Sequence, residues 1–197
     1  ARATDPDEAL FRFNQFLERL PAGVQFFSLL QSNDNTLKLL VDIVGVAPRL
    51  SAWLSRNAQL VDILIETRPT SDDGDNFADD NVLDFADILD ALRLDVHHSQ
   101  FRTGVFLLAN PTNFQTAGAQ FADIARRSIS RLLPAVQHDI AARHGTLEQA
   151  EMAVIGMGKL GSGEMSLQSD LDLVIVCDSS DFAETSDGDK PLAGDVW

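Results

Sequence analysis

The chain has 197 residues, with 15 basic and 30 acidic side chains and a formal charge of −15. Hydrophobic residues make up 45 %, enough for a core, which excludes wholesale disorder; no apolar run approaches the ~18 residues of a membrane span. The acid excess, with only three lysines, argues against a main task of gripping nucleic acid, which needs clustered Lys and Arg.

The length fits one domain, or one and part of a second. The one cysteine, Cys177, leaves no internal disulfide and no cysteine-based zinc cluster, and suits a reducing cytoplasm. No signal peptide is read at Ala1-Arg2-Ala3-Thr4-Asp5, which leads straight into an acidic helical segment. The sequence begins without methionine and stops at Trp197 in mid-pattern, as a piece of a longer protein would.

The first two thirds read as helices. Asp5 before Pro6 is an N-cap followed by proline at the first helical position. Leu10, Phe13, Leu17 and Leu20 then recur at helical spacing. Pro21 and Gly23 break that helix. A second carries Val24, Phe27 and Leu30, and Asn33-Asp34-Asn35 ends it and starts a third with Leu37, Leu40, Val41 and Val44, stopped by Gly45 and Pro48. Leu50, Trp53 and Leu54 follow, then Leu60, Ile63 and Leu64. No strict repeat period is visible, so residues 1–66 form a helical array rather than a solenoid.

Residues 67–81 form an acidic linker with Pro69, Gly74 and Asp72, Asp73, Asp75, Asp79 and Asp80, too polar to order itself by burial. Long helices fill 82–150. Phe85, Ile88, Leu89, Leu92 and Val96 open one that runs to Phe106 or Leu108, where Asn110-Pro111 breaks it. Thr112 and Gln115 have capping-box spacing. Phe121, Ile124, Ala125, Ser128, Leu132, Val136 and Ile140 mark one face of another, ending near His144-Gly145, with a kink expected at Pro134.

At Glu151 the texture changes. Met152 to Ile155 reads as a buried strand, a glycine-rich turn follows, and Asp172 to Cys177 reads as a second apolar strand. Asp170 and Asp172 open that strand. Side chains at i and i+2 of a strand share a face, with Cα atoms about 6.5–7 Å apart. Two carboxylates so placed repel, and a shared divalent cation relieves the repulsion; phosphoryl-type transfers use such pairs to hold metal ions. Glycines ahead of them let backbone N–H groups approach a triphosphate, and Ser162 and Ser169 can add hydroxyl donors. Each feature alone has a bland reading, a solvated strand entrance or a tight turn. Their coincidence between two apolar strands favours a metal–nucleotide site.

Gly156-x-Gly158-x-x-Gly161 also matches the dinucleotide fingerprint, with Asp178 near the place of a ribose-binding acid. That unit needs a full crossover helix. Residues 162–169 allow only about two turns, so this reading ranks below the other. The Walker pattern fails at Glu164.

The segment Gly156-Met-Gly-Lys-Leu-Gly-Ser-Gly-Glu-Met with Ser169-Asp-Leu-Asp-Leu173 resembles the nucleotidyltransferase superfamily with a DNA polymerase β-like fold. It is most similar to the signature of the glutamine synthetase adenylyltransferase family. Leu20 to Leu30 and Ala47-Pro-Arg-Leu50 resemble the helices between that family's two catalytic domains, and Ser186-Asp-Gly188 through Pro191-Leu192 resembles the loop after the signature in its second copy. The resemblance implies an α+β fold, with a helical N-terminal two thirds and the start of a C-terminal adenylyltransferase domain at 151–197. It implies transfer of AMP from ATP to a tyrosine of glutamine synthetase, release of pyrophosphate, and control by glutamine and the PII signalling protein. In roles, Asp170 and Asp172 would hold Mg²⁺ on the triphosphate and be catalytic, and Gly161, Ser162, Ser169 and Lys159 would bind the nucleotide. For Lys159 and Glu164, buried packing or a mutual salt bridge reads at least as well as catalysis. The family's third carboxylate lies on a later strand, so this length of chain is expected to be inactive by itself. Asp178, Asp181, Glu184, Asp187, Asp189 and Asp195 are poor substitutes for it. The alternatives are a nitrogen-signalling uridylyltransferase of the same fold and a non-enzymatic helical interaction module.

Other residues read plainly. His97 and His98 are adjacent, about 100° apart on a helix, and read as surface histidines. His138 and His144 lack a paired ligand spacing. Arg126, Arg127 and Arg131 read as a solvated face, and Cys177 as a buried, inert thiol.

Overall fold

A computed structural model describes residues 5–20, 23–57, 60–65, 84–146, 151–178 and 185–192. The expected linker at 67–81, the breaker Pro21 and the acids Asp181, Glu184 and Asp195 lie outside them. The element order is α1 (Pro6–Glu18), α2 (Gly23–Ser32), α3 (Asp34–Val46), α4 (Pro48–Arg56), α5 (Leu60–Ile65), α6 (Phe85–Ala109), α7 (Phe114–His144), β1 (Glu151–Gly156), α8 (Gly158–Ser162) and β2 (Leu173–Asp178). The described chain is mostly helical with one small sheet, an α+β composition.

Local chemistry sets the helix boundaries. Asp5 caps α1, its carboxylate accepting from the Asp7 and Glu8 amides at 3.1 Å each, which satisfies donors that no helical carbonyl can reach. Asn33 does the same for α3, accepting from Thr36 N at 3.2 Å. Pro48 stands in the first turn of α4 and supplies the pre-set φ of a helix start. A 3₁₀ turn at Pro111–Asn113 leads directly into α7, and Thr112 sits inside that turn; the capping-box reading of Thr112 and Gln115 is therefore not realised. Helix α7 runs through Pro134 without interruption.

Two compact units divide the chain, Ala1–Gly74 with His97–Ala117, and Asp75–Val96 with Gly118–Trp197. The first has a core built by Phe16, Phe26, Leu40, Ile43, Leu54, Leu64 and Phe101, all buried. Phe16 and Phe26 meet edge to face, centroids 5.4 Å apart, an arrangement that ring quadrupoles favour. His97 is exposed, as expected, with its ring 5.3 Å from Trp53, over which Arg49 also stands at 5.4 Å, whereas His98 is half-buried.

The second unit holds the C-terminal part of α7 and the two strands. β1 and β2 pair antiparallel, in register from Glu151 opposite Asp178 to Gly156 opposite Leu173. Phe121, Ala122 and Ile124 of α7 are buried in this unit, as are Leu160 and Met165. The strands differ from the sequence reading in burial. β1 alternates exposed and half-buried, while Leu173 to Cys177 are all exposed. Among the described residues the sheet has only these two strands, so nothing covers both faces of β2. Cys177 is exposed for the same reason, which corrects the expectation of a buried thiol.

Candidate functional site

The site is the strand–turn–strand passage from Gly156 to Leu173. The chain leaves β1, forms the five-residue helix α8, makes a second turn at Ser166–Ser169 and enters β2 beside the strand it left. An antiparallel return needs no crossover helix, whereas the dinucleotide unit joins parallel strands. The pairing thus removes the dinucleotide-binding reading of Gly156, Gly158 and Gly161. Met157 N donates to Asp172 O at 2.8 Å, extending the ladder one step past the strand ends.

This step places Asp172 against α8. A Cβ built on Gly158 would stand 2.5 Å from Asp172 Oδ2, and Gly158 has φ of +51°. The positive φ favours glycine, and any side chain there would also displace the Asp172 carboxylate. Gly161 is required for a different reason: a Cβ there would stand 2.7 Å from Gly156 O, so α8 packs directly onto the end of β1. The first duty of these glycines is thus to fold the turn under Asp172.

Asp170 and Asp172 are exposed and lie just ahead of β2 rather than within it. Among the described residues no hydrogen bond or ion pair engages either carboxylate. Hard, solvent-facing oxygens of this kind fit Mg²⁺, which keeps several waters and takes one or two carboxylates. No cluster of three or more potential ligands occurs among the described residues.

The other sequence-predicted residues lie on α8 and in the turn that precedes Asp170. Ser162 is exposed on the last turn of α8, its hydroxyl 3.5 Å from Lys159 O. Ser169 closes the turn before Asp170: its Oγ accepts from Ser166 N at 2.9 Å and lies 3.1 Å from Ser166 Oγ. Lys159 and Glu164 are both exposed. They meet through the backbone, Glu164 N donating to Lys159 O at 2.9 Å, and no ion pair joins their side chains among the described residues.

Two supports were missed in the sequence. Arg126 of α7 donates from Nη2 to Leu160 O at 3.1 Å, so it does not belong to a merely solvated face. At the other end of α7, a clasp forms from the loop after β2. Ser186 Oγ donates to His144 O at 2.6 Å and accepts from Leu192 N at 2.9 Å. Asp187 Oδ1 accepts from Thr146 N at 2.6 Å, and Asp187 N donates back to Thr146 O at 3.1 Å. His144 Nδ1 donates to Lys190 O at 2.8 Å. Asp187 thus ties the loop to the end of α7. The partners that α7 and its C-terminal end find in α8 and in the loop after β2 lie 34 to 46 residues away in sequence, beyond the reach of periodicity or spacing.

With this geometry in place, comparison with known proteins is decisive. The family model described as glutamate-ammonia ligase adenylyltransferase matches residues 37–197. The chain belongs to this family. It is 43 % identical over 195 residues to the bifunctional glutamine synthetase adenylyltransferase/adenylyl-removing enzyme of Mesorhizobium japonicum, covering 95 % of this chain and 20 % of that protein. The proteins of the same name from Brucella melitensis and Bradyrhizobium sp. are 41 % and 35 % identical, again with 20 % of each covered. The chain therefore spans about one fifth of the length of these relatives. No helix among the described residues is long and apolar enough to cross a membrane.

Proposed function

We propose that the protein carrying this chain transfers AMP from ATP to a tyrosine hydroxyl of glutamine synthetase, releasing pyrophosphate, and so regulates nitrogen assimilation. Residues 151–197 would begin its C-terminal adenylyltransferase domain, of DNA polymerase β-like fold, after an array at 1–66, a linker at 67–81 and long helices at 82–150. The observation that carries this reading is the seating of the Asp172 carboxylate over Gly158 in a short antiparallel strand–turn–strand, within a chain of this family. The activity named for these relatives, adenylyl transfer to glutamine synthetase, supports ATP as the adenylyl donor and glutamine synthetase as the target. The PII signalling protein as a further partner is what the signature's resemblance implies, and the cytoplasm as the place of action suits the single cysteine.

In this mechanism Asp170 and Asp172 would hold Mg²⁺ on the triphosphate beside the start of β2. The metal supplies neutralisation of phosphate charge and polarisation of the attacked α-phosphorus. Gly161 and Ser162 meet the phosphates from α8, Lys159 adds a cation from the same short helix, and Ser169 orders the turn that delivers Asp170. The tyrosine hydroxyl oxygen attacks the α-phosphorus and releases its proton to solvent, the bond from the α-phosphorus to the bridging oxygen breaks, and pyrophosphate leaves with that electron pair.

The test is AMP transfer from labelled ATP to purified glutamine synthetase by the full-length protein. Replacing Asp170 and Asp172 by Asn is expected to lower transfer by at least about a thousandfold, the scale of losing groups that stabilise transition-state charge. Transfer within a few-fold of the unmodified enzyme would reject the assignment. The 197-residue chain alone is expected to show no transfer.

A further inference from the structure

α8 has only five residues, so most of its carbonyls find no donor within the helix. Leu160 O is one of them. It accepts weakly from Gly163 N at 3.4 Å, and its closer partner is the Arg126 guanidinium at 3.1 Å. Nη2 also stands 3.6 Å from where a Cβ on Gly163 would lie. The other terminal nitrogen, Nη1, is held by Asp123 at 3.5 Å, one turn back on α7. The planar fork is thereby aimed from both sides, a service that guanidinium geometry provides. Nearby, the Leu160 side chain is buried, and a Cβ on Gly118 of α7 would stand 3.4 Å from Met165 O. Helix α7 and the α8 turn therefore pack closely, with Arg126 as the polar pin between them.

We propose that Arg126 is a positioning residue of the nucleotide site. It touches no reacting atom; it acts through Leu160 O, setting where Gly161 and Ser162 stand relative to Asp172. This rests on the reading of the α8 turn as the triphosphate-facing element. Nη2 is engaged by Leu160 O and Nη1 stands beside Asp123; the role assigned is to hold the turn, and amide exchange at the turn separates it from direct contact with phosphate.

The experiment uses the full-length protein and two readouts. Arg126→Ala is expected to raise KM for ATP roughly tenfold, the order of one charge-assisted hydrogen bond, with kcat within about threefold. Amide exchange at Gly161, Ser162 and Gly163 should quicken, while the β1–β2 ladder and the rest of α7 keep their rates. Arg126→Lys, which can still donate to the carbonyl, should recover most of both effects. An unchanged KM and unchanged exchange in Arg126→Ala would overturn the proposal. So would exchange quickened throughout α7 and both strands, or no recovery with Lys. Asp172→Asn is run in parallel: transfer surviving that change defeats the adenylyltransferase reading, while the exchange pattern still decides what Arg126 holds.

Discussion

Gly158 and Gly23 show how differently one residue type can be constrained. A side chain at Gly158 meets Asp172 Oδ2 at 2.5 Å on a backbone with φ of +51°, whereas a Cβ at Gly23 meets nothing within 4 Å. Gly158→Ala must therefore accept about 1–2 kcal/mol of backbone strain and also push the carboxylate aside. Its expected outcome is a lower melting temperature together with weaker ATP–Mg²⁺ binding in calorimetry. Gly23→Ala, at the first position of α2, should be neutral or stabilise by up to about 1 kcal/mol, with nucleotide binding unchanged. If the two variants behave alike, Asp172 is not seated on Gly158 as described.

At the scale of elements, what the sequence disclosed depended on the range of the interaction. The caps Asp5 and Asn33 act on amides two or three residues away, and their signatures are local. The stripe from Phe121 to Ile140 foretold α7 because helical period is written in the stripe itself. The short gap between the strands pointed away from a crossover unit, and the antiparallel register bears that out. Burial was misjudged at β2: an apolar run does not say whether a neighbouring layer is present, and here Leu173 to Cys177 lie open. The Asp170 and Asp172 pair was legible, but Arg126 and the clasp were not, since their partners are set by tertiary packing. The clasp carries its own prediction. Asp187 accepts from Thr146 N, and Ser186, only 4 % exposed, bridges His144 O and Leu192 N. Asp187→Ala leaves the Thr146 amide to water, at a cost of about 1 kcal/mol. Exchange should quicken at Thr146, Gly188 and Leu192, with the amides of α1 to α4 unaffected. Asp187→Asn keeps an acceptor oxygen and should fall between. Uniform behaviour of Asp187→Ala and the unmodified chain at those amides would mean that the clasp does not hold the end of α7.

Across the whole chain, the two compact units differ in what resists their opening. In the first, Leu40, Ile43, Leu54 and Phe101 are at most 1 % exposed, and releasing any of these helices exposes several large side chains at once. Each fully buried Leu, Ile or Phe contributes about 1.5–3 kcal/mol by burial, so α3 and α4 should open only with the unit as a whole. Among the described residues the strands are far less covered. Ile155, Val174, Ile175 and Val176 are 45–64 % exposed, and two-stranded pairs are marginal in water unless a further layer covers them. The net charge of −15 adds self-repulsion that favours any expanded state. Native-state hydrogen exchange on the 197-residue chain should therefore separate the two. The amides of Val174 and Val176 are expected to exchange at least about a hundredfold faster than those of Leu40, Ile43 and Leu54, as a local opening well below the global one. Raising the ionic strength should slow the strand amides more than the α3 and α4 amides if charge contributes to the opening. Strand amides as slow as the helical core would show that β1 and β2 are held by a layer that their exposure does not reveal, and would remove the physical basis for treating the site as the first part of this molecule to open.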